Sequence, residues 1–421
     1  MIKDAFRSLK NDLDRAIFYW FVFVLSSMFM FLFFHLSLSS IIGVTFIHSD
    51  NNLATTLTVF VIIICMIVIF LANDFYVKKK SRELAVILVC GGTYLQLVKF
   101  LLSQTLFLML CSIPFGIGIG YLLFPVFGQI MSYFMHTQVI LQISSQAMFG
   151  TIFIITFEVF WCVFLNLGYT YRNSIKTLID GETKVKLQTP KFPFEFKITI
   201  PHTIYLIIYM GCIILMYLCG DDTSSLLIIG CIGLIGMYGC LVHIIIPYID
   251  KNIQEKWIND PLKIVYMGFL REDLKLMMFY ICLLIITAII LLSMFAFGAG
   301  NNMEMSLSLL SYAVMNILLS LSLMFRCSTE IAGRKYHFSV LQKIGYLQNQ
   351  RKMIMKKELL CLYTMIIVLS LLYIVNILII LYVHHYIRLP FCLMIILLFI
   401  VPLIISGIIN YIYYQNLVES R

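Results

Sequence analysis

Tyr76-Val-Lys-Lys-Lys-Ser-Arg-Glu-Leu-Ala-Val-Ile-Leu-Val-Cys-Gly91 follows one apolar run, and Gly92-Thr-Tyr-Leu-Gln-Leu-Val-Lys99 leads into the next. The arrangement recurs 254 residues later as Arg334-Lys-Tyr-His-Phe-Ser-Val-Leu-Gln-Lys-Ile-Gly345, then Tyr346-Leu-Gln-Asn-Gln-Arg-Lys352. Gly91 and Gly345 each stand 13 residues before a polar residue, Gln104 or Glu358, at the start of a long span. Both stretches read alike. A basic cluster anchors the cytoplasmic end of a span, an amphipathic helix of two or three turns follows, and a Gly ends it where φ > 0 is needed. Leu84, Ile87 and Leu88 share one side of the first helix, and Phe338, Leu341 and Ile344 one side of the second. The expected product is a short helix held under the bilayer, presenting side chains to whatever lies beneath. The competing reading, that Lys78, Lys79, Lys80 and Arg82 only orient the chain, leaves the helix stop and the repeat unexplained.

The repeat extends upstream. Leu270-Arg-Glu-Asp273-Leu274 precedes one span as Leu9-Lys-Asn-Asp12-Leu13 precedes the first. Around these landmarks the chain is 61% hydrophobic and only 12% charged, where a soluble domain is roughly 45–50% apolar and about 25% charged. A transmembrane helix needs about 20 apolar residues and a transmembrane strand about 10, so the long runs exclude a soluble protein and an outer-membrane barrel. Ten spans are expected, near 17–42, 54–73, 98–127, 147–168, 201–219, 224–247, 275–299, 305–325, 359–383 and 389–413.

Lys and Arg collect on the cytoplasmic side of a membrane. All but Arg388 of the 30 lie in alternate connections or at their edges, which places both termini in the cytoplasm. The first span follows a charged segment and is too long for a signal-peptide core, so it reads as a retained helix. Before it, Phe6, Leu9 and Leu13 fall on one helical face, as in a helix lying in the inner interface. The 12 Cys include no C-x-x-C pair, so neither a disulfide framework nor a metal site is indicated.

The fold class expected is all-α and polytopic, with two four-helix units in the same orientation and an inserted helical hairpin. The boundaries are 1–168 for the first unit with its N-terminal interfacial helix, 169–266 for cytoplasmic linkers and the hairpin, and 267–421 for the second unit.

The run Lys80-Ser-Arg-Glu83-Leu-Ala-Val-Ile-Leu-Val-Cys-Gly91 resembles the signature of FtsX-like permeases, the membrane subunits of MacB-type ABC transporters. The layout is similar to the lantibiotic and bacitracin-resistance branch, in which two four-span units are separated by two extra spans. It departs from that branch in two ways. The large extracellular domain expected between spans 7 and 8 is replaced by Gly300-Asn-Asn-Met-Glu304, and His337 stands where the first copy has Glu83. The resemblance implies a permease in a bacterial cell membrane that couples to two copies of a cytoplasmic ABC ATPase through Arg82, Glu83, Leu84, Ile87, Leu88, Gly91, His337, Phe338, Leu341, Ile344 and Gly345. It implies no catalysis and no cofactor in this chain, with ATP and Mg on the partner, and no nucleic acid. The absence of a G-x-x-x-x-G-K-[ST] loop agrees. Mechanotransmission is the implied mechanism, with an antimicrobial peptide or lipid-linked molecule as cargo. Export of an endogenous peptide, or sensing through a histidine kinase, stays open, and membrane lipid is a further partner.

Other residues invite chemistry. Glu158 stands in the middle of span 4, where a carboxylate facing lipid costs roughly 2.5–3.5 kcal/mol on insertion scales. It must face the bundle or be protonated, either on a coupling path or in an interhelical bond to Asn166 or a Ser. His243 reads as packing or capping. Gly116 and Gly120 have the small-x-x-x-small spacing of close helix contact, with Pro114 and Pro125 suggesting kinks. Residues 128–146 read as an outer interfacial helix. No H-E-x-x-H and no pair of central Asp supports an intramembrane enzyme.

Overall fold

The computed structural model describes residues 2–11, 13–37, 53–135, 143–172, 202–218, 223–297 and 302–419. Among them the helices are α1 (Ile2–Asn11), α2 (Leu13–Ser37), α3 (Leu53–Lys79), α4 (Ser81–Val89), α5 (Tyr94–Met135), α6 (Ser145–Arg172), α7 (His202–Leu218), α8 (Thr223–Cys240), a π-helical turn (Leu241–Ile245), α9 (Ile246–Glu255), α10 (Pro261–Phe297), α11 (Asn302–Gly333), α12 (Lys335–Lys343), α13 (Gln348–Val383) and α14 (Leu389–Glu419). Nine of the described helical segments are long and apolar enough to cross a membrane. The chain is a multi-pass, all-α membrane protein. The run expected as span 5 forms α7, whose 17 residues stand at the lower limit for a crossing. Most of the linker at 169–200 lies outside the described residues.

The chain divides into two compact units, Met1–Lys186 with Asn302–Leu307, and Leu187–Asn301 with Ser308–Arg421. In the first, α2 is the central helix and packs on α3, α5 and α6. A Cβ on Gly116 would meet the Ser27 hydroxyl at 1.9 Å, so the small residue there lets α5 lie against α2. α5 stays helical through Pro114 and Pro125 for 42 residues, roughly 63 Å at 1.5 Å per residue. It takes in residues 128–135 of the segment expected to lie in the outer interface. In the second unit α10 packs on α13 and α8, and α13 on α14. The inserted hairpin belongs to this unit. α8 lies so close to α7 that a Cβ on Gly236 would meet the Tyr209 backbone at 2.7 Å, and Tyr373 of α13 donates to the Gly230 carbonyl at 2.6 Å. His243, in the π turn, stacks on Tyr205 with ring centroids 5.1 Å apart, a packing role.

Without water, every buried polar group in a bilayer must find a partner in the protein. Both units meet this demand with an Asn on their last helix. Asn166 of α6 accepts from Asn73 of α3 at 2.7 Å and donates to Thr105 of α5 at 3.2 Å. Asn410 of α14 accepts from Ser328 of α11 at 2.6 Å and donates to Tyr363 of α13 at 2.6 Å. Tyr19 extends the first brace by donating to Asn73 at 2.9 Å. Each Asn thus ties three membrane helices of its unit together. Interhelical hydrogen bonds in membranes average about 0.6 kcal/mol, with a maximum near 1.7. Asn166→Ala and Asn410→Ala are each expected to destabilise by about 1 kcal/mol, read as a lower thermal midpoint in detergent. Thr156→Ala, on the exposed face of α6, is expected to leave the midpoint unchanged.

Candidate functional site

The two short cytoplasmic helices match residue for residue. α4 spans Ser81–Val89 and α12 spans Lys335–Lys343, in register at 254 residues. Each is preceded by a cation in helical conformation, Lys80 (φ −85°, ψ −3°) and Arg334 (φ −82°, ψ −3°). Each ends in the same turn. The Gly92 N–H donates to the Ile87 carbonyl at 2.9 Å, and the Tyr346 N–H to the Leu341 carbonyl at 3.0 Å. This six-to-one bond is the Schellman closure, which needs a left-handed residue inside it. Gly91 (φ 86°) and Gly345 (φ 105°) supply it. No atom stands within 4 Å of a Cβ built on either, so glycine is required by conformation and not by space. The next helix is also started alike: the Thr93 N–H donates to Gln96 Oε1 at 2.9 Å, and the Leu347 N–H to Gln350 Oε1 at 3.0 Å.

Both preceding cations are buried, Lys80 to 1% exposure and Arg334 to 7%. Burying an unpaired charge is costly, and each cation is compensated differently. Lys80 Nζ donates to Ser8 Oγ of α1 at 2.9 Å and pairs with Glu83 Oε1 at 2.8 Å. Arg334 pairs with Asp273 of α10 and Glu358 of α13, and its guanidinium lies over the Phe269 ring at 4.7 Å. Burial works against the Arg334 charge, but Asp273 together with Tyr414, Cys327 and Glu330 outweighs it and lifts the guanidinium above its ordinary range. Behind them the polar residues at the start of α5 and α13 are buried too. Gln104 donates to the Ala5 carbonyl at 2.8 Å, and Glu358 accepts from Tyr414 at 3.4 Å.

The residues expected to touch a partner divide into two groups. Leu84 is fully buried with Ala5, Val77, Leu97, Phe100 and Leu101, and Ile87 and Leu88 pack on this cluster. Phe338 is buried between Phe269 and Tyr414. The apolar side of α4, and Phe338 on α12, therefore attach each short helix to its own bundle. Glu83 is held by Ser8 and Lys80. Leu341 is half-buried, while His337 and Ile344 are exposed. The Arg82 side chain lies outside the described residues. The exposed apolar positions on α4 are Val86 (57%) and Val89 (65%); because Leu84 to Val89 is unbroken apolar sequence, the pattern alone does not say which side faces inward.

Glu158 faces the bundle: it is 2% exposed and shares the interior of the first unit with Tyr19, Cys65 and Cys162. Its Oε1 has no hydrogen-bond partner among the described residues. Asn166, one of its expected partners, is occupied by Asn73 and Thr105.

α3 to α6 carry the comparison with known proteins. Residues 55–177 match the FtsX-like permease C-terminal family. The matched region holds α4, its Gly91 stop and the long α5, and covers less than a third of the chain. It supports a permease subunit of an ABC transporter. No curated protein matches the chain.

Replacing Arg334 by Met would leave Asp273 and Glu358 buried without their cation. Breaking a buried pair in this way costs about 3–5 kcal/mol, so Arg334→Met is expected to lose most of its folded yield on size exclusion. Leu84→Asp is expected to fail in the same assay, because it puts a charge into the cluster that seats α4.

Proposed function

We propose that the chain is the permease subunit of an ABC transporter, driven by two cytoplasmic ATPase subunits seated on α4 and α12. The observation that carries this reading is the register of the two short helices. Each is fixed at its start by a buried cation, closed at its end by a left-handed glycine, and joined directly to a long membrane helix, α5 or α13. A push on α4 or α12 is then delivered to a rod longer than the roughly 30 Å hydrocarbon layer. The FtsX-like match over residues 55–177 supports the same reading. Mechanotransmission of this kind suits the removal of an amphipathic peptide or lipid-linked molecule from the outer leaflet, as in antimicrobial peptide resistance. Glu158 lies on the proposed coupling path, with an oxygen free to gain a partner when the helices shift.

The exposed residues are the ones expected to meet the ATPase. Val86→Asp with Val89→Asp should leave expression and size-exclusion behaviour unchanged while abolishing co-purification of a cytoplasmic ABC ATPase partner co-expressed with this chain. Normal capture of the ATPase by that variant overturns α4 as a docking element. Mass measurement of the detergent-purified complex is expected to give one permease chain per two ATPase subunits, and two permease chains per ATPase pair would sink the reading. Glu158→Gln keeps hydrogen-bonding capacity, so it should retain the fold and reduce transport at least tenfold. Full activity would return Glu158 to a packing role.

A further inference from the structure

We propose that the cytoplasmic end of the second unit binds the phosphate of an anionic phospholipid headgroup, held by Lys263 over Trp257, by Lys357 over Tyr266 and by Lys356 next to it in the chain. The inference stands on its own observations and does not depend on the transport reading.

Three elements meet there. α10 starts at Pro261, and the Tyr346 hydroxyl from the turn between α12 and α13 donates to the Pro261 carbonyl at 3.2 Å. Lys263 Nζ sits 4.9 Å from the centroid of the Trp257 ring, and Lys357 Nζ of α13 sits 5.8 Å from that of Tyr266. Lys263 and Tyr266 are one turn apart on α10; the Lys263 ammonium turns back to Trp257 just before the helix, and the Lys357 ammonium comes from α13 to Tyr266. Lys356 is exposed beside Lys357, and Lys256 and Lys343 are exposed on the flanking segments.

The carboxylates of this unit are mostly engaged elsewhere. Asp250 and Glu272 pair with Arg271, Glu330 with Arg326, and Asp273 and Glu358 with Arg334. None of Lys256, Lys263, Lys343, Lys356 and Lys357 has a carboxylate partner among the described residues, and of the acids adjoining them in sequence Glu255 lies by Lys251 and Glu358 by Arg334.

Orientation in the membrane does not explain the cluster. At the same register the first copy has Val89, Leu102 and Ser103 where the second has Lys343, Lys356 and Lys357, yet its helices begin and cap identically. The added charge belongs to the second copy alone. Cations interleaved with Trp and Tyr at the cytoplasmic end of long apolar helices match the chemistry of a headgroup phosphate, with the aromatic rings at the interface. An acidic protein surface would need no aromatic ring at headgroup level.

The test uses the full chain, delipidated in detergent and titrated with phosphatidylglycerol or phosphatidylcholine, with retained lipid read by native mass spectrometry. Wild type is expected to retain phosphatidylglycerol in preference. Each lysine lost among Lys263→Gln, Lys356→Gln and Lys357→Gln should lower that preference about fivefold, the attraction of one lysine to an anionic lipid surface. Arginine at the same three positions should keep the preference, which separates loss of charge from loss of fold, and Lys99→Gln in the first unit should leave it intact. An unchanged preference in the triple Gln variant overturns the proposal. So does displacement of the lipid by inorganic phosphate at equal concentration, which would assign the site to a soluble anion. Retention of phosphatidylglycerol together with lost ATPase capture would make the patch a protein contact and overturn it equally.

Discussion

A buried cation at the cytoplasmic bend holds each half of the repeat in shape. Lys80 and Arg334 sit where a membrane helix gives way to its short cytoplasmic helix. Each stands past the C-terminal end of the longer helix, where a positive charge suits the helix dipole. Neither can be left alone once it is out of water. The partners they recruit come from separate elements, so satisfying one charge fixes several helices together. Lys80 joins α3 and α4 to α1 through Ser8. Arg334 joins α11 and α12 to α10 and α13 through Asp273 and Glu358. The Schellman turn beyond each short helix is a separate, local device, set by Gly91 and Gly345.

The two copies solve the same problem with different chemistry. Lysine is a compact point charge on a flexible stem, and here it is shared between a hydroxyl and a carboxylate that is itself partly exposed. Arginine is a planar fork suited to more than one carboxylate, and here it serves two that are fully buried and stacks over Phe269. The second bend is drier and more extensively bonded than the first. The difference between Glu83 and His337 belongs to the same asymmetry: Glu83 completes the Lys80 site, whereas Arg334 draws its carboxylates from α10 and α13 and leaves position 337 free to be something else.

Deeper in the membrane the copies converge again, on a pair of residues that a constant offset does not align. Asn166 and Asn410 are 244 residues apart, not 254, because in the second copy both the long helix, 36 residues against 42, and the connection after it are shorter. Their partners also differ in type: Asn73 and Thr105 in one unit, Ser328 and Tyr363 in the other. What the copies share is the geometric task of tying three helices where no water can serve. That task sets the position of the amide and leaves its partners free to vary.

The amino-acid sequence by itself determined the helical class and the repeat of the two short helices, because these rest on run length and spacing along the chain. Apolar run length decides what can cross a bilayer, and a glycine 13 residues before a polar residue marks the helix stop in both copies. Gly91 and Gly345 were readable for the same reason, since left-handed backbone is a local requirement. Which side of α4 and α12 faces outward was not readable. Leu84 and Phe338 are apolar residues on short amphipathic helices, and an apolar face can attach a helix to its own bundle or offer it to a partner with the same pattern. Only the tertiary structure, by bringing Ala5, Leu97 and Phe100 against Leu84 and Phe269 and Tyr414 against Phe338, decided that these faces turn inward. The buried cations, the Asn braces and the engaged Asn166 that leaves Glu158 Oε1 without a partner are of the same kind, because a polar side chain finds its partner across helices and not along them.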